Sequence, residues 1–213
     1  MSRDDSRPRG AGRGQARTRL ARAAVIDAAR REFAHHGYTA TTIEAISAAS
    51  DVPAATIYRL FSSKLGILKG ILDTAIAGDD EAVAVLDRPP ARQALGDADP
   101  RQRISGFVGV TAAINARIGS VYRVLAAAAD AEPGARELLD AIDGQRARGQ
   151  GELVRSLARD AALRPGLRSR EAGDIVHALQ SPEVYRMLVV DRGWPPARYE
   201  RWLTDTLAAQ LLP

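Results

Sequence analysis

Cysteine is absent from the 213 residues, which excludes disulfides and thiolate metal sites and is compatible with a reducing compartment. Histidine occurs three times. His35 and His36 are adjacent, so on a helix they point about 100° apart and cannot chelate one metal. His177 lies in the apolar run Ile175-Val176-His177-Ala178-Leu179, where a core or interface imidazole is the plain expectation. There is no Ser/His/Asp series, no histidine cluster at metal spacing and no carboxylate pair in apolar surroundings. No enzyme is expected, and no cofactor. Gly144, Gly149 and Gly151 are followed by no Lys-Ser/Thr pair and preceded by no strand, so they mark a weakened or kinked helix rather than a phosphate loop.

Other absences bound the class. No run of eighteen uncharged apolar residues occurs, and the first twenty residues are Arg-rich, so neither a membrane span nor a secretory leader is expected. No segment alternates in the manner of a strand between hairpin turns. The fold expected is all-α. Lysine is scarce, at two against 28 arginines, which reflects codon composition and not chemistry.

Charge is present but uneven. Residues 1–65 carry eleven Lys/Arg against six Asp/Glu, whereas residues 66–213 carry 19 against 20. A basic front end on a near-neutral body is the footprint of a phosphate-binding domain joined to a separate one. Three regions follow: an Arg-rich arm over 1–17 without apolar periodicity, a small helical domain over 18–78, and a helical body over 79–213. Within the body, Asp87 to Pro100 with its prolines reads as a loop or a broken helical link.

The stretch Gly37 to Lys64 carries the most information. Ile43 and Ile46 fall on one helical face, and Val52, Ile57 and Leu60 on another, with Ser47 where two helices cross and Asp51 in a turn that tolerates positive φ. Gly37 stops the incoming helix. Thr41 to Glu44 fits a capping box with Thr41 as N-cap. Pro53 suits the first turn of the next helix, and Ser62 or Ser63 caps a fourth helix whose stripe is Leu65, Leu68, Leu72 and Ile76. Two helices buried on one side leave the second free for a DNA major groove, which is a helix-turn-helix. The same signals also fit capped helices in an ordinary bundle.

Phe33, Gly37, Tyr38, Thr41, Thr42, Ile46, Thr56, Ile57, Tyr58, Phe61, Ser63 and Lys64 stand in the order and spacing of one known signature. Over roughly residues 20–72 the chain resembles the DNA-binding domain of tetracycline-repressor (TetR) family transcriptional regulators. Asp51, Pro53 and Leu65 depart from that pattern, and Pro53 bears on how the recognition helix is seated.

Position and resemblance together assign roles. Thr41 and Thr42, at a helix N-terminus, are placed to hold backbone phosphates. The resemblance implies phosphate contacts for Tyr58 and Lys64. Pro53, Ala54, Ala55 and Thr56 front the recognition helix; the two alanines offer methyl contacts only, and Arg59 reaches a guanine edge or a phosphate. Arg17, Arg19 and Arg22 suit an adjacent phosphate strand or the minor groove. The resemblance also implies a homodimer on the last two helices, through Leu179, Met187, Leu188, Trp202, Leu203, Leu207 and Leu211. It implies a pocket among the middle helices, with Phe107, Val110, Ile114, Tyr122, Leu125, His177 and Tyr185 as candidates and an apolar effector as the guess.

The function these readings imply is a cytoplasmic, nucleoid-associated repressor that binds an inverted-repeat operator in double-stranded DNA and is released by a small molecule. A constitutive repressor or activator without an effector is the alternative, and a nonspecific DNA-coating protein ranks third.

Overall fold

The computed structural model describes residues 10–78 and 84–213. Every regular element among them is helical. By compactness the chain divides between Ile71 and Leu72 into two units.

The first unit begins with α1 (Gly10–Ala40), whose buried face Val25, Ala28, Ala29 and Phe33 repeats at helical spacing. Gly37 interrupts it with φ 74° and ψ 171°, a backbone state open to glycine, so the long incoming helix ends there as expected. The expectation of an arm without regular structure over 1–17 needs revision in its second half, because α1 starts at Gly10. Ala, Arg and Gln there are good helix formers and extend a helix nucleated by the packed turns behind them. Residues 1–9 of that arm lie outside the described residues.

α2 (Ile43–Ser50) and α3 (Ala54–Phe61) follow, joined by a turn in which Asp51 adopts φ 54°. Ser47 donates from its hydroxyl to the Val52 carbonyl at 2.7 Å and so ties the turn to α2. Ile43, Ile46, Val52, Ile57 and Phe61 are buried. Leu60 is only half-buried, and Phe61 takes the core position expected of it. The cap of α2 is a correction: its hydroxyl belongs to Thr42, which accepts from Ala45 N at 3.1 Å. Thr41 is buried and donates instead to the Gly37 carbonyl at 2.8 Å. Likewise Pro53 is the N-cap of α3, one residue before its first turn.

α4 (Lys64–Ala77) starts after Ser63, whose hydroxyl accepts from Gly66 N at 3.0 Å. The sharp corner is possible because residue 66 is glycine: the Phe61 carbonyl oxygen occupies the place a Cβ would take.

The second unit contains a 3-10 turn (Val85–Asp87), α5 (Pro89–Gly96), α6 (Pro100–Ala129), α7 (Pro133–Arg159), α8 (Ser169–Leu179), α9 (Pro182–Tyr185), a π turn (Arg186–Asp191) and α10 (Pro196–Leu211). Of the two readings of 87–100, the structure has the broken helical link: the prolines start α5 and α6, since a missing N–H costs nothing in a first turn, and residues 97–99 separate the two helices. The first of the last two helices expected from the sequence is divided, because Pro182 cannot continue α8 and Ser181 caps the new start by accepting from Val184 N at 3.2 Å. α6, α7, α8 and α10 enclose a core that includes Ile104, Phe107, Val108, Leu153, Leu157, Val176 and Tyr199.

α6 is long and apolar enough to cross a membrane by length and composition, contrary to the expectation that no segment would be. Its buried positions Ile104, Phe107, Val108 and Ala112 are packed in this core, which accounts for part of the apolarity. Arg103, 4% exposed, fixes the start of α6 by donating to the Asp97 carbonyl (2.7 Å), the Ser156 carbonyl (2.9 Å) and Asp160 (2.7 Å).

Candidate nucleic-acid interface

The helix-turn-helix presents one open face. On α3, Ala55, Tyr58 and Arg59 are exposed, Pro53 precedes them in the open, and Ala54 and Thr56 are half-buried. Tyr58 is 49% exposed, high for a large ring, and its phenol is the natural hydrogen-bonding tip of that face. Ile57 and Phe61 point the other way, into the core. An amphipathic helix eight residues long thus displays three side chains that reach outward, one of them a cation.

At the start of α2 only Thr42 is open to a ligand, since Thr41 is 2% exposed. Glu44 sits in the same first turn and sets a negative charge beside any phosphate there. The α2 end is therefore a weaker anion site than its dipole alone would make it.

Lys64 is placed differently from the expected phosphate ligand. Its ammonium donates to the carbonyls of Tyr38 (2.7 Å), Thr41 (2.9 Å) and Thr39 (3.4 Å), and lies 4.3 Å from the Tyr38 ring centroid. An ammonium has three donors, and all three are directed at the carbonyls that end α1. Lys64 therefore bridges α4 to the α1–α2 junction. Arg22 is similar in kind: its guanidinium lies 4.5 Å from the Phe61 ring centroid and 3.4 Å from the Leu60 carbonyl, holding α1 against the end of α3. Arg17 and Arg19, on the first turns of α1, are exposed.

The body's expected site residues disperse. Val110 and Ile114 line an open cleft of about 470 Å³ with Ile76, Ala77, Val85, Arg88, Pro89, Pro90, Ala91, Ala113 and Arg117. Arg117 donates to the Ala75 carbonyl at 2.7 Å and the Ile76 carbonyl at 3.2 Å, capping the end of α4. Phe107 and Tyr185 are core residues, and Leu125 is fully buried. Tyr122 donates to Asp143 at 3.0 Å, and burial pushes its phenol pKa up. His177 lies between Arg146 and Gln150, and burial, then the Arg146 charge, hold its pKa below the ordinary 6.5. Arg146, Gln150, Gln180 and Asn115 were not anticipated as a group. The signal that could have found them is polarity on apolar stripes: Gln150 is three residues before Leu153, and Gln180 four after Val176.

The expected dimer residues separate too. Leu203, Leu207 and Leu211 are fully buried inside their own chain and offer nothing to a second copy. Leu179, Leu188 and Trp202 are partly buried against the same core, and Met187 is 49% exposed.

Residues 25–71 match the model of the bacterial regulatory proteins of the tetR family. Among solved structures, the SmeT–triclosan complex is 17% identical with a TM-score of 0.71, covering 91% of this chain and 92% of the other. A putative transcriptional regulator from Saccharomonospora viridis in complex with choline is 20% identical with a TM-score of 0.68, covering 91% and 98%. NalD, the secondary repressor of the MexAB-OprM multidrug efflux pump in Pseudomonas aeruginosa, is 21% identical with a TM-score of 0.66, covering 90% and 96%. No curated protein matches. The N-terminal unit is thus a helix-turn-helix that matches the DNA-binding domain of the tetR family over residues 25–71.

Proposed function

We propose that the chain is a cytoplasmic homodimeric repressor that binds an inverted-repeat operator and leaves it when a small molecule binds the body. The observation that carries the reading is a recognition helix with an exposed Ala55-Tyr58-Arg59 face on a basic domain, followed by a larger helical body with its own core. Two such helices related by two-fold symmetry read matching half-sites about one helical turn apart. Solved relatives in complex with triclosan and with choline support a ligand-binding role for the body. In the dimer, the partly buried Leu179, Leu188 and Trp202 with exposed Met187 supply the contact, and the buried leucines of α10 do not.

Tyr58 and Thr42 serve as phosphate contacts and Arg59 as the base or phosphate contact, with Arg17 and Arg19 following the neighbouring strand. Selection of bound sequences from a random duplex pool tests this directly. A selected site with dyad symmetry is the expected result, and a site without it removes the dimer. Operator affinity is then titrated against a library of small molecules. If compounds that bind the body leave operator affinity unchanged, the constitutive reading replaces the ligand-responsive one.

A further inference from the structure

The body contains a connected set of buried and partly buried polar side chains that DNA binding does not use. Asp143 on α7 accepts from the Tyr122 hydroxyl at 3.0 Å and from Arg146 Nη1 at 3.5 Å. Arg146 Nη2 lies 3.2 Å from Nε2 of His177 and 3.1 Å from its carbonyl oxygen. Nδ1 of His177 is 2.8 Å from Gln150 Oε1, and Gln150 Nε2 donates to Gln180 Oε1 at 3.4 Å. Asn115 Nδ2 donates to the Gln180 carbonyl at 3.2 Å. Gln150 and Asn115 are each 3% exposed, Gln180 1% and Tyr199 0%.

This chain has a direction. Arginine only donates, a neutral imidazole donates once and accepts once, and each amide passes the pattern on. With Arg146 donating into His177, the ring donates to Gln150, Gln150 donates to Gln180, and the Gln180 amide NH2 is left over. Turning an amide or exchanging the imidazole tautomer sets donor against donor elsewhere, so the surplus does not disappear. Three buried side-chain polar atoms are without a partner among the described residues: Gln180 Nε2, Arg146 Nε and the Tyr199 hydroxyl. All three can donate: the Tyr199 oxygen faces the Asn115 amide, which joins it to the same set and leaves its O–H proton to be placed. Buried polar groups in folded proteins are nearly always satisfied, so three orphans in one network call for an acceptor.

Charge narrows what that acceptor is. Asp143 offsets Arg146, and Asp174 and Glu183 add negative potential around His177. An anion is therefore repelled, a protonated amine meets donors, and a hydrocarbon leaves the donors unmet. We propose that this donor surplus is the recognition end of the effector site, and that it takes the acceptor oxygen of a neutral organic molecule, a ketone, ester or amide carbonyl. The inference rests on the ligand-responsive reading above and replaces the apolar effector expected from composition.

Four probes of one size separate the alternatives by calorimetry on the full chain without DNA: 4-phenylbutan-2-one, 4-phenylbutan-2-amine, butylbenzene and 4-phenylbutanoate. The ketone is expected to bind at least about tenfold more tightly than the other three, the difference one satisfied hydrogen bond makes. In a Tyr199→Phe/Gln180→Met variant, which keeps the ring and the bulk, the advantage of ketone over butylbenzene should fall to about two- to threefold or less. Tyr199→Phe alone keeps the test valid if the double variant fails to fold. Equal binding of all four, preference for the amine, hydrocarbon or carboxylate, or no binding up to the solubility limit overturns the proposal. Operator affinity measured alongside keeps the two readings apart. A bound ketone that leaves operator affinity unchanged sinks the ligand-responsive reading only, whereas release by the amine or the hydrocarbon sinks this inference only.

Discussion

The two units differ in how far their polar groups are satisfied. In the DNA-binding unit, polar side chains near its core close backbone groups: Thr41 on Gly37, Ser47 on Val52, Lys64 on Tyr38, Thr39 and Thr41. Each satisfies a helix end or a turn, and the unit is held in one shape from which Tyr58 and Arg59 project. In the body, Arg103 and Arg117 also close backbone groups, but a further set of polar side chains bond to one another across α7 and α8 and leave donors over. The first pattern suits a rigid reader of a fixed groove. The second leaves unmet hydrogen bonds inside a core, which lowers stability until a partner supplies them.

The largest expected effect tests where the body's apolar surface goes. Leu207 is fully buried in its own chain, so Leu207→Ala should cost about 2–5 kcal/mol of unfolding free energy through lost burial and a cavity. Met187 is half in solvent, and Met187→Ala should change stability by no more than about 0.5 kcal/mol. Denaturant unfolding of the two variants side by side decides it. A stable Leu207→Ala chain that sediments as a monomer would instead restore α10 as the dimer surface.

A second, smaller effect concerns Lys64. Lys64→Met keeps the stem and removes the ammonium, leaving the carbonyls of Tyr38, Thr39 and Thr41 without their donor. The first unit should lose about 1–3 kcal/mol. Operator affinity should weaken while the slope of log affinity against log salt stays as in the wild type, because no counterion-releasing contact is lost. Tyr58→Phe and Arg59→Ala, by contrast, leave the fold intact and act on DNA alone, and Arg59→Ala lowers the slope by about 1 if its contact is to phosphate. A slope lowered by about 1 in Lys64→Met would return Lys64 to the phosphate.

How much of this could be read from sequence follows the range of the interactions. The stop at Gly37 and the positive φ at Asp51 depend on one residue's own backbone freedom, and both are legible. The cap of α2 was off by one, because Thr41-x-x-Glu44 satisfies the local pattern while the burial of Ile43 decides that the helix begins after Thr42. The partners of Lys64 lie more than twenty residues away, so its role as a bridge leaves no local trace. The burial of Leu207 and Leu211 within their own chain is invisible for a similar reason: a helix face looks equally apolar whether it faces its own core or a second copy. Pro182 shows the remaining kind of error, since proline ends one helix and begins the next and only the packing on either side says where each lies.

A third effect, near 1 kcal/mol, separates the two threonines. Thr42→Ala removes the hydroxyl that accepts from Ala45 N and should cost about 1 kcal/mol as a lost N-cap, with a DNA effect beyond stability if Thr42 also holds a phosphate. Thr41→Val keeps the shape and loses only the bond to Gly37, so its effect on DNA should follow its effect on stability. Thermal melts paired with operator titrations distinguish the two. Proportional losses in both variants would take Thr42 out of the DNA contact.

The smallest effect is a pH dependence confined to the body. Burial first, and then the Arg146 charge, hold the His177 pKa below its ordinary 6.5, against weaker opposing influences from Asp143, Asp174 and Glu183. The folded body therefore binds a proton at this ring less readily than the unfolded chain does. The stability this contributes is present in full above pH 6.5 and is lost as pH falls through the depressed folded value. Solvent screening at a ring that is not fully enclosed keeps the magnitude small. Protonation also gives the imidazole two donors, so the ring can no longer accept from Arg146 at Nε2, and the directed chain through Gln150 and Gln180 is broken at its start. Denaturant midpoints taken from pH 8 to pH 5 should fall below pH 6.5 in the wild type. In His177→Gln the part of that fall due to the ring should vanish, while Lys64→Met leaves it unchanged. A wild-type profile flat through that range, or one that His177→Gln does not alter, would show that the ring takes up its proton equally in the folded and unfolded chain and that the donor chain does not depend on it.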